Sequence, residues 1–361
     1  MKKIFSLLML LAMLLAYGES DACTSAIVLA SRSSEGVAML WKHRDSQSWN
    51  CHIAYVEGEK YGYTALISLD GKHTYCGINE KGFAVMNNAT YNVPRPEKKG
   101  KGKSAVVVMA DILGNFAKVA EFEAWLSSPD GKHKYPTIYA VGDATGVVSY
   151  FEVGQDYYKR YDEVVLEKGF DARGNFSFSG IESKRGANIE RYHIAMKQLG
   201  AMSRVAPQDF ITFSRNYQTL SGGCILDEPG GVVRDHSSIN RYTSAASTVM
   251  VCDAENPRML VAVGHPAATM AVPVYVRAKQ AIPECVGGEA MLELGNEFRD
   301  RAYKHITKGQ DQLDKATIRK VVRVNTVCAM PRTMPQPIEK FNAMIDKMFA
   351  KHARKVRKAL K

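Results

Sequence analysis

Residues 23–46 contain two apolar runs joined by a short polar turn, and this segment constrains the fold of the chain most strongly. The first run begins at Cys23 and the second ends at Asp45, with Ser33, Ser34 and Gly36 between them. Apolar runs on either side of a Ser/Gly turn are typical of a β-hairpin. We therefore predict two antiparallel strands that bring Asp45 back toward Cys23.

The segment before Cys23 has the composition of an export signal. Two lysines precede an apolar run over residues 4–15, and Ser20 and Ala22 occupy the −3 and −1 positions of a cut before Cys23. Small side chains at those positions are typical of a signal-peptidase site. The apolar run is shorter than the ~20 residues of a membrane-spanning helix. We therefore predict a signal peptide over residues 1–22 and an exported protein, periplasmic or secreted, without stable membrane insertion.

The formal net charge of +11 does not by itself indicate a nucleic-acid partner. The basic residues are scattered, apart from residues 98–103 and residues 351–361, and there is no arginine-rich block or aromatic RNA-binding motif. The C-terminal basic cluster is interspersed with apolar side chains. We interpret it as the solvated end of a helix rather than a membrane contact, and we expect no nucleic-acid partner.

The cysteines other than Cys23 are widely spaced and do not resemble a small disulfide scaffold. Pairing in an oxidising compartment is open, but most of them are interpreted as buried small hydrophobic residues. These six are Cys51, Cys76, Cys224, Cys252, Cys285 and Cys328.

Cleavage before Cys23 would give this residue an unusual chemical capacity. A free α-amine has a pKa of about 8 and a cysteine thiol one of about 8.5. On an N-terminal cysteine the neutral amine can take the thiol proton, directly or through one water, and later return it to a leaving amine. One residue then supplies the nucleophile, the base and the acid.

Two other interpretations of Cys23 compete with this one. In the first, Cys23 is the lipid-modified residue of a lipoprotein, although Asp21 fits that signal poorly. In the second, the cut lies earlier, near Gly18, and Cys23 is an ordinary strand residue. The motifs that follow in the chain favour the nucleophile.

Several short motifs follow Cys23 in a characteristic order. The hairpin is succeeded by two further turn-containing segments, an Asn-containing segment, a helix start with an arginine and two closing strands, over residues 77–85, 141–153, 174–176, 188–192 and 243–266. In this order the motifs resemble the cysteine N-terminal-nucleophile (Ntn) hydrolase superfamily. The resemblance is to choloylglycine hydrolases, meaning bile-salt hydrolases and penicillin V acylases, and to the acyl-coenzyme A:6-aminopenicillanate acyltransferase family. It covers about residues 23–280.

The resemblance implies a fold and a set of roles. The fold is α+β, a four-layer αββα sandwich. Asp45 orients the α-amine of Cys23, and Asn87 and Asn175 donate hydrogen bonds to the oxyanion of the tetrahedral intermediate. Arg191 stabilises negative charge near the thiolate.

The chain departs from the family pattern beside Asp45. Lys42 stands at the place of an arginine, so the charge is kept without the bidentate fork, and Arg44 precedes the aspartate. We assign Lys42 and Arg44 to electrostatics or substrate binding without ranking them. Asn88, adjacent to Asn87, is a second candidate for the oxyanion site, although a role as a turn residue is favoured for it. His43 and His265 are interpreted as structural or substrate-facing, because the amine already serves as base.

The remaining pattern predicts one Ntn-hydrolase domain over residues 23–361. Its core spans about residues 23–280, and a helical extension spans about residues 287–361. Within these regions strands are predicted over residues 23–93, 137–153 and 243–263, helices over 105–127, 189–199, 207–220, 287–306 and 336–361, and an exposed loop over 94–103.

The predicted activity is hydrolysis of a linear C–N amide bond in a small-molecule acyl-amide substrate, without a cofactor or metal. An acyltransferase or a secreted dipeptidase-like peptidase on the same site is an alternative. A catalytically silent binding protein or a lipoprotein is the non-enzymatic alternative. A homo-oligomer is compatible with the sequence.

Overall fold

The computed structural model describes residues 22–94, 103–131, 133, 135–186, 188–234, 238–307 and 310–361. Residues 1–21 of the predicted signal peptide and most of the predicted loop over residues 94–103 lie outside the described residues.

The described residues form strands and helices in alternating blocks. The strands are β1 Cys23–Val28, β2 Met39–Asp45, β3 Cys51–Val56, β4 Tyr63–Ser68, β5 Thr74–Asn79, β6 Ala84–Ala89, β7 Thr137–Gly142, β8 Val148–Val153, β9 Tyr158–Tyr161, β10 Phe170–Arg173, β11 Val232–Arg234, β12 Ser244–Val251, β13 Arg258–Val263, β14 Val272–Tyr275, β15 Tyr303–Thr307 and β16 Gln310–Leu313. The α-helices are α1 Ala105–Asn115, α2 Val119–Leu126, α3 Glu163–Lys168, α4 Asn188–Gly200, α5 Pro207–Arg215, α6 Glu284–Gly287, α7 Ala290–Ala302, α8 Lys315–Val322 and α9 Ile338–Leu360.

These strands form three sheets whose strand pairs are all antiparallel. A six-stranded sheet has the order β10-β1-β2-β12-β13-β14, and a seven-stranded sheet runs from β3 to β9 in sequence order. The third sheet has the order β11-β16-β15. Antiparallel sheets with separate helices confirm the α+β class. The predicted hairpin is also confirmed, because β1 pairs with β2 from Cys23 opposite Arg44 to Val28 opposite Met39.

Both faces of β1 and β2 are covered, as their uninterrupted burial shows. Side chains of a strand point alternately to its two faces, so Ile27 and Leu40 lie in one apolar cluster and Val28 and Trp41 in another. The first cluster also takes side chains from the seven-stranded sheet, and the second from α4 and α5. A third cluster joins the seven-stranded sheet to α1 and α2.

The prediction of a single helix over residues 105–127 is wrong, because this segment forms two helices, α1 and α2. The Asn79 amide donates to the carbonyl oxygens of Leu113 at 2.8 Å and Phe116 at 2.7 Å. The Asp143 carboxylate accepts the first backbone N–H of α2 at 2.8 Å. Partners outside the helix thus satisfy the polar groups that the interruption leaves open. The apolar spacing gave no sign of these distant partners.

Two further predicted helices end earlier than expected. The helix predicted over residues 207–220 stops at Arg215, whose buried guanidinium donates to the carbonyl oxygens of Pro266 and Thr269. The helix predicted over residues 287–306 stops at Ala302, because the following residues form β15 and pair with β16. The helix predicted over residues 336–361 is confirmed as α9.

The C-terminal helices pack into the same apolar cluster as the two large sheets. Phe298 of α7, Ile318 of α8, and Ile345, Phe349 and Val356 of α9 all belong to it. The extension therefore shares one apolar core with the two large sheets. Among the described residues, no helix is both long enough and apolar enough to span a membrane.

Candidate active site

Cys23 is the first residue of β1 and is held by both of its backbone polar groups. Its N–H donates to Oδ1 of Asn175 at 2.5 Å, and its carbonyl oxygen accepts from Nη1 of Arg191 at 2.6 Å. The residue is 6% exposed. Two side chains that are far from Cys23 in the sequence therefore fix the position of this residue.

Asn175 and Arg191 also bind each other. Nη2 of Arg191 donates to Oδ1 of Asn175 at 3.1 Å and to Oδ1 of Asn188 at 2.6 Å, while Nη1 donates to Oγ1 of Thr24 at 2.9 Å. Arg191 is fully buried near the start of α4. Nδ2 of Asn175 donates to the carbonyl oxygen of Ala89 at 2.9 Å. The structure thus brings together three of the predicted site residues: Cys23, Asn175 and Arg191.

The loop that carries Asn175 is anchored by a buried carboxylate. Glu152 of β8, which is 1% exposed, accepts from the backbone N–H groups of Phe178 at 2.7 Å and Ser179 at 2.8 Å, and from Oγ of Ser179 at 2.7 Å. Asn92 adds a second anchor, because its Oδ1 accepts from the Ser177 N–H at 2.7 Å. Glu152 belonged to a sequence motif without an assigned role, and the structure gives it one.

Asp45, at the end of β2, is the centre of a buried polar cluster. Its Oδ2 accepts from Nη2 of Arg241 at 2.6 Å, and its Oδ1 lies 2.9 Å from Oγ of Ser244 and 3.1 Å from Nε2 of His43. Burial acts to raise the Asp45 pKa, but Arg241 and His43 more than offset it and hold the pKa well below its usual range. Asp45 is therefore ionised at neutral pH.

Asp45 adjoins Cys23 through the backbone. Its N–H donates to the carbonyl oxygen of Ala22 at 2.9 Å, so the end of β2 lies beside the peptide bond that precedes Cys23. Its carboxylate is also 4.0 Å from Nη1 of Arg191. The single N–H of Cys23 in the uncut chain goes to Asn175 rather than to Asp45.

Sequence reasoning missed the turn that holds Asp45. This turn comprises residues 241–244. Arg299 of α7 fixes it by donating to the carbonyl oxygens of Tyr242 and Ser244, each at 2.8 Å. His265 contributes as well, because its Nε2–H donates to the Arg241 carbonyl oxygen at 2.9 Å. No local pattern distinguishes Arg241 or Arg299 from other basic residues of the chain.

His265 is a structural histidine in this arrangement. It is fully buried, and burial together with the Arg299 charge holds its pKa well below the usual value. The ring is therefore neutral, with the proton on the nitrogen that faces Arg241. His43 contacts Asp45 and Ser244 and belongs to the same buried cluster.

Lys42 and Arg44 share the face of the hairpin on which Cys23 lies, since Cys23 is paired with Arg44 and the next residue on that face with Lys42. The Lys42 ammonium donates to the carbonyl oxygen of Asn87 and is 3.5 Å from its Oδ1. The Arg44 guanidinium stacks over the ring of Tyr75 at 4.0 Å. Two buried cations thus lie on the Cys23 face of the hairpin.

Asn87 and Asn88 make different contacts. Nδ2 of Asn88 donates to Oγ of Ser25 at 3.0 Å and to the Gly174 carbonyl oxygen at 3.1 Å, so it ties β6 to β1 and to the loop of Asn175. Asn88 lies within a strand and is 2% exposed, so the interpretation of it as a turn residue is wrong. Asn87 is half-buried beside Lys42, and its Nδ2 is 3.5 Å from Oγ1 of Thr137.

The other cysteines are all unpaired in the structure. Burial raises the pKa of Cys76 to about 11 and raises those of Cys51, Cys252, Cys285 and Cys328 as well. These thiols are protonated at neutral pH, as expected for small buried hydrophobic residues. Over the described ranges, His, Cys, Asp and Glu side chains form no cluster of three or more suited to a metal ion.

A cavity of about 740 Å³ lies on the helix side of the seven-stranded sheet, against α1 and α2. It is lined by Ile112, Phe116 and Trp125 together with the carboxylates of Glu59 and Asp130, among others. Its lining residues do not include Cys23, Asn175, Arg191 or Asp45.

No protein-family model and no curated protein sequence matches the chain. Solved structures do match it. A mutant of the conjugated bile acid hydrolase from Clostridium perfringens has a TM-score of 0.45 and 13% identity, over 73% of this chain and 94% of that one. For penicillin V acylase from Agrobacterium tumefaciens the values are 0.43 and 16%, over 69% and 86%. For the Caenorhabditis elegans ortholog of N-acylethanolamine-hydrolysing acid amidase they are 0.42 and 16%, over 64% and 93%.

Proposed function

We propose that this protein is an exported amide hydrolase that cleaves a linear C–N amide bond through an acyl thioester on Cys23. The observation that carries the proposal is the pair of short hydrogen bonds that hold the nitrogen and the carbonyl oxygen of Cys23. A mechanism in which one residue is both nucleophile and base requires that the backbone nitrogen of this residue be oriented as well as its thiol. The motif order over residues 23–280 supports the same activity.

The proposed reaction has two halves. The α-amine of the processed Cys23 takes the thiol proton, and the thiolate attacks the amide carbon. The tetrahedral intermediate collapses when the C–N bond breaks and the leaving amine takes the proton, which leaves a thioester. Water, deprotonated by the α-amine, then attacks the thioester. The C–S bond breaks to release the carboxylic acid, and the Cys23 thiolate takes the proton back from the α-ammonium group.

The proposed roles of the other residues follow from their positions. Asn175 orients the nitrogen of Cys23 through Oδ1, and Arg191 holds both Asn175 and the Cys23 carbonyl group. Asp45 keeps an ionised carboxylate beside the cut. The amides of Asn175 and Asn87 are the proposed oxyanion donors, with the Lys42 ammonium next to Asn87.

We propose the four-layer αββα sandwich as the scaffold of this site. The three apolar clusters support it, since one lies between the two large sheets and one lies on the helix-covered face of each. Cys23 then begins a strand of one inner layer, and Asn87 lies in the C-terminal half of a strand of the other.

A chromogenic N-acyl amide and the intact mass of the exported protein test the proposal together. We expect a mature chain that begins at Cys23, and a mass increase equal to the acyl group when the reaction is quenched. Cys23→Ala should abolish both hydrolysis and the adduct. Cys252→Ala is the matched control, because it also removes a buried thiol and should keep both. Hydrolysis that survives in Cys23→Ala, or a mature N-terminus elsewhere, would contradict the proposal.

A further inference from the structure

We propose that Arg299, in the C-terminal extension, is a positioning residue for the Cys23 site, acting through the turn of residues 241–244 on the Asp45 carboxylate. The inference rests on the proposed function and deepens it. It assigns a part in the reaction to a region that the sequence motifs do not cover.

The turn of residues 241–244 holds the Asp45 carboxylate by hydrogen bonds. Arg241 and Ser244, at the two ends of the turn, each hydrogen bond to one of the carboxylate oxygens, at 2.6 and 2.9 Å. Between them, the carbonyl oxygen of Thr243 accepts from the N–H of Ser46, the residue after Asp45, at 2.8 Å. The position of the carboxylate is therefore set by the conformation of this turn.

Arg299 in turn fixes the backbone of residues 241–244. Its Nε and Nη2 donate to the carbonyl oxygens of Tyr242 and Ser244, so one planar guanidinium spans the turn with two hydrogen bonds. Its Nη1 donates to Oδ1 of Asn296 at 2.6 Å, and the ring of Trp49 stacks 3.6 Å from the guanidinium carbon. The guanidinium is thus held on several sides.

The nature of the partners distinguishes Arg299 from an arginine that merely neutralises charge. Burial lowers the Arg299 pKa to about 10, so the group is still cationic at neutral pH although it is fully buried. At the turn it donates to carbonyl oxygens, not to carboxylates. By contrast Arg258, equally buried, pairs with the carboxylates of Glu35 and Asp253, and the carbonyl oxygen to which it donates belongs to Asn256, outside the turn.

The charged groups around Asp45 come from several elements, and the hydrogen bonds of Arg299 link it to Asp45 through the turn. His43 lies on its own strand, Arg241 on the turn, and Arg191 on α4 at 4.0 Å. His265, which follows β13, interacts with Asp45 at longer range. An effect of Arg299 on the reaction should therefore depend on Asp45 being present.

A double-mutant cycle tests this dependence on the mature protein with the chromogenic amide. Arg299→Met should lower kcat about 100-fold with little change in KM, which is the cost of a ~1 Å misplacement in an active site. In an Asp45→Asn background the same change should lower kcat about twofold or less, since non-additivity marks residues that act through one another. Arg299→Lys, which keeps the charge without the fork, should recover only part of the rate.

Arg258→Met is the matched control for the loss of a buried cation. It should lower the midpoint of chemical unfolding and leave kcat unchanged. If Arg299→Met does not fold, Asn296→Ala releases one side of the guanidinium and should give a smaller loss of kcat with the same dependence on Asp45.

The inference is overturned if a folded Arg299→Met variant keeps the wild-type kcat, or if its loss is the same with and without the Asp45 carboxylate. It is also overturned if Arg258→Met lowers kcat equally. These outcomes are distinct from failure of the proposed function, which shows as hydrolysis that persists in Cys23→Ala whatever the behaviour of Arg299.

Discussion

Asn175 determines the surroundings of the Cys23 nitrogen more directly than any other side chain described. Its Oδ1 accepts from this nitrogen and from Arg191, so a neutral amide stands where a carboxylate would also fit sterically. The distinction matters for a catalytic amine, because a base has to be unprotonated at the working pH. A neutral oxygen orients the amine and favours its protonated form less than a carboxylate would.

We therefore predict that Asn175→Asp moves the acidic limb of the kcat/KM profile to higher pH. A carboxylate 2.5 Å from the nitrogen favours the ammonium form and raises the amine pKa, so less of the enzyme has a free base at neutral pH. The measurement is kcat/KM against pH with the chromogenic amide.

Asn188→Asp is the control for the added charge. Asn188 also accepts from Arg191, at 2.6 Å, whereas the Cys23 nitrogen donates to Asn175. An acidic limb that stays in place in Asn175→Asp, or that moves as far in Asn188→Asp, would contradict the assigned role.

At the scale of elements, two buried carboxylates of adjoining strands show how a loop and a helix are placed. Asp143, at the end of β7, accepts from the N–H groups of Val119 and Thr145 and caps α2. Glu152 of β8 holds the loop that follows Asn175. Both are nearly fully buried, but only the second is connected to Cys23.

Because Glu152 anchors the loop of Asn175 and Asp143 caps α2, we predict that replacing each carboxylate by its amide affects a different property, kcat in the first case and stability in the second. Glu152→Gln replaces an acceptor of the Phe178 and Ser179 N–H groups by an amide that can face one of them with its own N–H. Asn175 should shift, and kcat should fall about 10- to 100-fold. Asp143→Asn should cost about 1–3 kcal/mol of unfolding free energy through the weakened cap and leave kcat unchanged. Steady-state kinetics and urea unfolding of both variants check the prediction, and equal kcat losses would count against it.

At the scale of the whole molecule, three buried histidines are neutral at neutral pH, and two of them, His265 and His352, connect parts of the chain that are distant in sequence. His265 holds the turn at Arg241, His133 donates and accepts between Gly131 and Tyr139, and His352 of α9 donates to the Ala268 carbonyl oxygen at 2.7 Å. Burial lowers the pKa of each ring. The unfolded chain therefore takes up protons at a pH at which the folded chain does not.

We predict that the unfolding free energy falls as the pH drops below about 6.5, the pKa of an unperturbed histidine. Since each ring has a lowered folded pKa, each contributes a loss of up to about 1.4 kcal/mol per pH unit until that folded pKa is reached. His352→Gln keeps a donor for Ala268 and should show a shallower loss. Urea unfolding of both proteins between pH 7 and pH 5 measures it, and parallel curves would refute the assignment to His352.

Features that depend on neighbouring residues could be predicted from the amino-acid sequence alone. Two apolar runs on either side of a Ser/Gly turn predicted the β1–β2 hairpin and hence the approach of Asp45 to Cys23, and the local sequence also predicted α4 and α9 as helices. Motif order brought Asn175 and Arg191 into the candidate site, and the structure places both on Cys23. Their catalytic roles remain predictions.

Features whose partners are distant in the chain became visible only in the folded protein. The interruption between α1 and α2 depends on hydrogen bonds to Asn79 and Asp143. The position of the Asp45 carboxylate depends on Arg241, which binds it, and on Arg299, which binds the turn. A buried arginine and a solvated one have the same local sequence signature. What separates them is the set of carbonyl and carboxylate oxygens around the guanidinium, and this set exists only once the chain is folded.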